Sequence, residues 1–325
     1  MLMRAVDVIE PGGPEQLTIV EMPDPVAGPG DLLIKVVAAG VNRADLLQRQ
    51  GLYPPPPGIS TVIGLEASGH VAAVGEGVDG WAVGDPVVAL LAGGGYAELA
   101  VAPAGQCCRP PSGVDLVTAG ALLEVAATVV SNLDRVGFAD GESFLVHGGT
   151  GGIGAFAIQY VKARGGLVLT TAGAPEKLEQ CRALGADVAI DYHEDWAAAV
   201  KEATDGRGVD VVIDVMGAKY LEANVASLAR NGRLVVIGLQ GGRMGTLDLN
   251  ALLRKNALVT ASSLRFSPLE RKAEVVAMVA REAWPMYESG QVKLPTEKRF
   301  ALADVRAAHE WLGSGAAMGK AVLVL

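Results

Sequence analysis

The rhythm of apolar and polar positions changes near residue 120. Before it, short β-rich runs recur at 3–9, 17–21, 32–38, 67–74, 86–90 and 96–101. Turn clusters separate them: Pro11-Gly12-Gly13-Pro14, Gly28-Pro29-Gly30, Gly75-Glu76-Gly77 and Gly93-Gly94-Gly95. Closely spaced strands with little helix predict a compact all-β module. One helical stretch, 42–50, interrupts it and is followed by a Pro-rich loop at 51–58. Beyond 120, helix and strand alternate. A helix is predicted at 118–136, then strands at 143–146, 167–171, 188–191, 209–214 and 232–238, with helices at 152–164, 175–184, 194–203 and 220–229 between them. This alternation marks a parallel, doubly wound sheet. Residues 258–262 read as its sixth strand. A long helix at 268–288, a strand at 298–300, a helix at 303–312 and a closing strand at 320–325 follow. The closing strand is expected to rejoin the front module, so that residues 1–120 and 266–325 form one domain and 121–265 an inserted one.

The stretch FLVHGGTGGIG, residues 144–154, organises the second domain. Phe144, Leu145 and Val146 are a buried-strand run, and the residues from Ala155 onward read as a helix. Gly149, Gly151 and Gly154 fit G-x-G-x-x-G between them. In that context the first glycine permits a tight turn, the second lets the backbone approach a pyrophosphate, and the third lets the helix pack closely on the strand. The phosphates would face the unpaired N–H groups at the positive end of the helix.

Composition narrows the field. The chain has 325 residues, half of them hydrophobic and 19% charged, which suits two globular domains. The net charge of −9 and the absence of a basic tract argue against nucleic acid or an anionic membrane as partner. No apolar run reaches spanning length and the first residues lack a signal-peptide pattern, so a soluble, cytoplasmic protein is expected. Three cysteines, Cys107, Cys108 and Cys181, make neither a disulfide framework nor a zinc motif. Cys107 and Cys108 read as adjacent strand residues, one facing in and one out. His70 and His147 lie on apolar strands and read as core histidines. Glu66 and Glu124 read as buried acids with either a structural or a functional role.

The end of the second strand of the glycine domain decides the dinucleotide. An acidic residue there would hold the ribose diol of NAD. This chain has Thr170-Thr171-Ala172-Gly173-Ala174 instead, with Lys177 one turn into the next helix and Tyr192 after the next strand. An ammonium and a phenol suit a 2′-phosphate, so NADPH is expected.

With these motifs in hand, the chain resembles the zeta-crystallin-like quinone oxidoreductases, the zinc-independent branch of the medium-chain dehydrogenase/reductase superfamily. The resemblance spans essentially the whole chain. It is carried by AGVNRADLLQRQGLYPPPPG (39–58), GLEASGHVAAVGEGV (64–78), the glycine loop and TAGAPEKLEQCRALGAD (171–187). It implies a GroES-like β-rich catalytic domain, a Rossmann domain, a cleft between them, and a homodimer or dimer of dimers. It implies Asn42 and Tyr53 at the substrate end and Thr128 at the nicotinamide end. It further implies Gly148, Gly151, Gly152 and Gly154 in the phosphate loop, and Gly173, Lys177 and Tyr192 in the 2′-phosphate pocket. Gly217, Gly238 and Leu239 would border ribose and nicotinamide. Ala174 departs from the serine common at that place and removes a hydroxyl donor.

Zinc-dependent relatives carry cysteine and histidine ligands where this chain has Asn42, Leu65 and Glu66, so no metal is expected. There is also no Tyr-x-x-x-Lys pair. An ordinary ketone needs a Lewis acid or a placed proton donor to become an alkoxide. A quinone becomes aromatic on accepting hydride, and donors such as Asn42 and Tyr53 suffice. Reduction of an activated C=C bond, as in alkenal or enoyl reductases, is the alternative activity; a low-turnover NADPH-binding structural or regulatory protein is the alternative class. Asn42 is also a preferred helix N-cap, and Tyr53 a candidate loop anchor. Finally, 247–253 carries a free apolar face beside the 258–262 strand, an edge expected to pair with a second subunit.

Overall fold

The computed structural model describes all 325 residues. They fall into two compact units. The first holds Met1–Ala127, Leu264–Gly290 and Leu294–Leu325; the second holds Thr128–Ser263 and Gln291–Lys293. The division falls inside the helix Leu123–Arg135.

In the first unit, β1 (Leu2–Val8) and β2 (Leu17–Pro23) form an antiparallel pair. Burial alternates along β2, as a strand with one covered face requires, and along β1 except at Ala5 and Val6, which are both buried. The main sheet contains β3 (Asp31–Val41), β4 (Glu66–Val74), β5 (Pro86–Leu90), β6 (Leu99–Pro103) and β7 (Cys107–Cys108). Around them Ala5, Val6, Leu17, Leu32, Ile34, Ile63 and Tyr96 form a core with no solvent exposure.

The second unit has β8 (Ser143–His147), β9 (Leu167–Ala172), β10 (Val188–Asp191), β11 (Val209–Asp214), β12 (Leu228–Val236) and β13 (Leu258–Ala261). Their spatial order is β10-β9-β8-β11-β12-β13, and every pairing is parallel. The order reverses beside β8, the doubly wound arrangement in which ligands bind at the strands' carboxyl ends. Every residue of β8 is buried, which explains its unbroken apolar run: helices cover both faces of such a sheet. The chain then returns to the first unit. There β14 (Glu297–Ala301) pairs with β15 (Lys320–Val324), and β15 runs antiparallel to β3. The closing strand therefore rejoins the front sheet, as expected.

Three expectations need correction. The helix at 118–136 is two helices, Leu116–Ala119 and Leu123–Arg135. Between them Gly120 lies so close to the sheet that a Cβ would meet Ala38 O at 2.9 Å and Ser68 Oγ at 2.8 Å. The helix at 268–288 breaks into Leu269–Glu282 and Trp284–Glu288, because Pro285 has no N–H to continue the ladder. His70 is exposed on β4 and faces Gly84 O at 3.2 Å, so it is no core residue. Cys107 faces inward and Cys108 is half-buried; burial pushes both thiols up, Cys108 to about 12, so neither is a ready thiolate.

Candidate functional site

The glycine loop leaves β8 through Gly148, whose φ of +75° is a left-handed conformation that favours glycine. The N–H groups of Gly148 and Gly149 both donate to Thr171 O, each at 3.0 Å, and so tie the loop to β9. A Cβ at Gly149 would lie 2.4 Å from Thr170 Oγ1 and 2.5 Å from Cys181 Sγ. One at Gly154 would lie 2.4 Å from Gly148 O and 2.6 Å from Gly149 Cα. The helix Gly152–Ala163 can start this close to the strand only with glycine at both places. Gly151 is its N-cap and supplies no side chain. The first intrahelical bond is Ala155 N–H to Gly151 O at 2.8 Å. The N–H groups of Gly152, Ile153 and Gly154 lie ahead of it, a row of donors at the positive end of the helix dipole. Such a cradle fits a pyrophosphate.

At the end of β9, Gly173 and Tyr192 come together. A Cβ on Gly173 would fall 2.2 Å from the Tyr192 hydroxyl, so only glycine leaves room for the ring. Tyr192 N–H donates to Ala172 O at 3.1 Å, and the half-exposed ring leans on His193. Lys177 is half-buried in the first turn of the helix Pro175–Ala183. Glu176 is exposed. The nearest strand-end acid, Asp191, accepts from the backbone and ring of His193, which hold its carboxyl below the usual range.

The ends of β11 and β12 pack backbone on backbone. Asp214 accepts the N–H groups of Met216 and Gly217, each at 2.8 Å. Gly217 has φ +74°, and a Cβ there would lie 2.9 Å from Leu239 Cδ2. One on Gly238 would lie 2.7 Å from Val215 O. Thr128 is tied to the same ends of the strands. Its carbonyl accepts Asn132 Nδ2 at 2.7 Å, Asn132 Oδ1 accepts Ser262 Oγ at 2.6 Å, and Ser262 N–H reaches Val236 O at 3.2 Å. His147 is a caged core residue. Nε2 lies 2.7 Å from Asn224 Oδ1, an acceptor, and therefore carries the proton; Nδ1 then accepts Thr171 Oγ1 at 3.0 Å. Burial pushes this imidazole down to about 4, so it stays neutral.

In the first unit, Asn42 does stand at the N-cap of the helix Arg43–Arg49, and its N–H donates to Asp45 Oδ2 at 2.7 Å. Its side chain also points to a buried ion pair. Asn42 Nδ2 donates to Glu66 Oε1 at 2.9 Å, while Lys320 Nζ donates to Asn42 Oδ1 at 2.5 Å and to Glu66 Oε1 at 2.9 Å. Glu66 Oε2 accepts Glu124 N–H at 3.0 Å, so Glu66 is structural and electrostatic at once. Behind Asn42, burial pushes the Asp45 carboxyl up to about 7, against the N–H of Asn42 and the hydroxyl of Tyr96 that it accepts. Tyr53 is held by Arg265, which donates to Tyr53 O at 2.9 Å, Gln48 Oε1 at 2.7 Å and Ala92 O at 2.7 Å. The guanidinium also lies 5.2 Å from the Tyr53 ring centroid, and Phe266 meets that ring edge-on at 5.5 Å. Sequence reasoning missed Lys320 and Arg265. The one signal for Lys320 was a lysine heading an otherwise apolar strand.

Comparisons with known proteins agree with this geometry. Residues 28–112 match the family model of the alcohol dehydrogenase GroES-like domain, and residues 152–281 that of the zinc-binding dehydrogenases. A quinone oxidoreductase of Pseudomonas aeruginosa is 34% identical, covering 96% of this chain and 97% of its own length. One of Rattus norvegicus is 32% identical, over 100% of this chain and 98% of its own. The chain belongs to the zeta-crystallin-like quinone oxidoreductases. Among solved structures, the Escherichia coli quinone oxidoreductase complexed with NADPH superposes with TM-score 0.87 at 30% identity, covering 100% of this chain and 99% of that one. A mycobacterial protein complexed with NADPH gives 0.90 at 36%, covering 99% and 100%.

One of those family models names zinc, but this chain has no group of three or more His, Cys, Asp or Glu side chains placed to hold a metal ion. Leu65 is apolar, and both oxygens of Glu66 are already engaged. These residues do not fit zinc.

Proposed function

We propose that this protein is an NADPH-dependent quinone oxidoreductase that works without zinc. The observation that carries the reading is the buried amide of Asn42, paired to an ammonium and a carboxylate where a metal-dependent enzyme would need soft ligands. Bound NADPH supplies a hydride; with one proton from water the quinone leaves as hydroquinone. The chain's residues bind and orient. The N–H groups of Gly152, Ile153 and Gly154 face the pyrophosphate, with Gly148 and Gly151 shaping the cradle. Lys177 and Tyr192, beside Gly173, hold the 2′-phosphate. Thr128, Gly217, Gly238 and Leu239 border the ribose and nicotinamide. Asn42 donates to the acceptor's oxygen, and Tyr53 stacks on its ring or donates to it.

The test is loss of nicotinamide absorbance, with NADPH and NADH in parallel, against an ortho-quinone, a para-quinone, an alkenal and a simple ketone. Quinones are expected to oxidise NADPH, with NADH at least ~10-fold poorer because Lys177 then faces no phosphate. A chelator is expected to change nothing; a chelator-sensitive rate would overturn the metal-free reading. Preference for the alkenal would move the function to C=C reduction, and cofactor binding without turnover would favour a non-catalytic role.

We also propose a homodimer or dimer of dimers. β13 ends the sheet; Leu258 on it is 49% exposed, and Leu249 and Leu253 on the preceding helix Leu249–Lys255 are 66% and 78% exposed. Two copies pairing β13 edges about a twofold axis would cover both the edge and the leucines. Sedimentation is expected to give a multiple of the chain mass, and a monomer would refute the proposal. No helix is long and apolar enough to cross a membrane.

A further inference from the structure

We infer that Lys320 and Glu66 are positioning residues that lock the side-chain amide of Asn42 in one orientation, so that its second Nδ2 proton is a preset donor for the acceptor's oxygen. The inference rests on the reading that the acceptor binds at Asn42. A lone asparagine amide can turn over, exchanging its oxygen and nitrogen. Here it cannot. Oδ1 faces the Lys320 ammonium at 2.5 Å, and Nδ2 faces the Glu66 carboxylate at 2.9 Å. Turning over would set oxygen against carboxylate and NH₂ against ammonium. The two charged partners also favour the same polarised form of the amide, negative at oxygen and positive at nitrogen, so each strengthens the other's effect.

The pair is itself immobile. The Lys320 and Glu66 side chains are 5% and 1% exposed, so water screens little of their field. Gly40 leaves the space that Glu66 fills, since a Cβ there would lie 2.1 Å from Oε1. Glu124 N–H holds the other oxygen. One Nδ2 proton is spent on Glu66; the second has no acceptor within the chain. Negative charge appears on a quinone oxygen only as the hydride arrives. A donor already aimed at it needs no reorganisation at that moment.

The experiment compares the wild type, the double variant Lys320→Met/Glu66→Gln, and Lys320→Arg across para-quinones graded in reduction potential, at saturating NADPH. The double variant removes both charges together and leaves neither buried alone. NADPH affinity is expected to stay unchanged. The double variant's kcat is expected to fall ~10-fold with the quinones hardest to reduce and least with the easiest. The plot of log kcat against potential therefore steepens, because a poorer acceptor reaches a later transition state with more charge on oxygen. Lys320→Arg keeps the charge and the wild-type slope. An ion pair that serves only the fold would lower every rate alike, and a parallel line, or no loss, overturns the inference. Should the double variant not fold, Lys320→Gln takes its place: its amide can still donate to Asn42 Oδ1 but carries no charge, while Glu66 keeps the bonds it accepts from Asn42 Nδ2 and Glu124 N–H, so the slope must steepen. A wild type that reduces no quinone sinks the proposed function and the inference with it. A quinone-reducing wild type with a parallel variant sinks the inference alone.

Discussion

Gly154→Ala is expected to weaken NADPH binding about 100-fold and to lower stability by about 1–3 kcal/mol. The added Cβ would sit 2.4 Å from Gly148 O and 2.6 Å from Gly149 Cα, and both are backbone atoms that cannot rotate away. Either the helix Gly152–Ala163 moves off β8 or the loop opens. Both displace the first-turn N–H groups from the phosphate. Gly151→Ala is the informative contrast. A Cβ there would meet Gly148 O at 3.5 Å, an ordinary contact, so the free protein should melt at the wild-type temperature. The methyl would instead stand where the backbone must approach the pyrophosphate, and NADPH affinity should fall ~10-fold or more. Nucleotide fluorescence titration and thermal melts, run on both variants, separate the two roles. Equal melting temperatures and equal affinities would show that neither glycine is there for the reason given.

The nucleotide-binding unit was legible because its logic is local. A parallel sheet covered on both faces needs uninterrupted apolar strands such as β8, and the phosphate loop needs glycines at fixed offsets from one strand. Gly173 and Tyr192 were placed in one corner by family resemblance, and their contact in the structure has a steric cause. The front unit was less legible for a matching reason. Its functional contacts are long-range: Glu66 meets Lys320 across 254 positions, and Arg265 meets Gln48 across 217. No periodicity encodes such pairs. The broken helices have local causes that pattern alone conceals. Pro285 could have been read as a break. Gly120 could not, because its constraint is the nearness of Ala38 on a strand far back in the chain. His70 looked like a core residue because its neighbours are apolar, but it is the one exposed residue of β4, between buried Gly69 and Val71.

Arg265→Met is expected to cost about 3–5 kcal/mol of stability and to raise the KM for quinones ~10-fold, with NADPH affinity unchanged. Arg265 is 5% exposed, and its donors reach Ala92 O, Tyr53 O and Gln48 Oε1. Gln48 in turn donates to Thr61 O at 2.9 Å, so the guanidinium grips the Pro-rich loop between residues 51 and 58 from both sides. Methionine fills much of the space but leaves those buried acceptors without a donor. It also removes the cation from the Tyr53 ring, which Phe266 still meets edge-on. The ring would then sample orientations in which it cannot stack on the acceptor, which raises KM more than it lowers kcat. Lysine is not a conservative choice here, because one ammonium cannot serve three acceptors spread around a planar fork. Lys272, buried nearby with its ammonium pushed down by burial and by the Arg265 charge, would gain from the loss of that cation. This relief is small beside the lost hydrogen bonds. Steady-state kinetics on a para-quinone with a parallel thermal melt checks the prediction. A variant that melts early but keeps its KM would leave Arg265 a structural residue and detach Tyr53 from the acceptor.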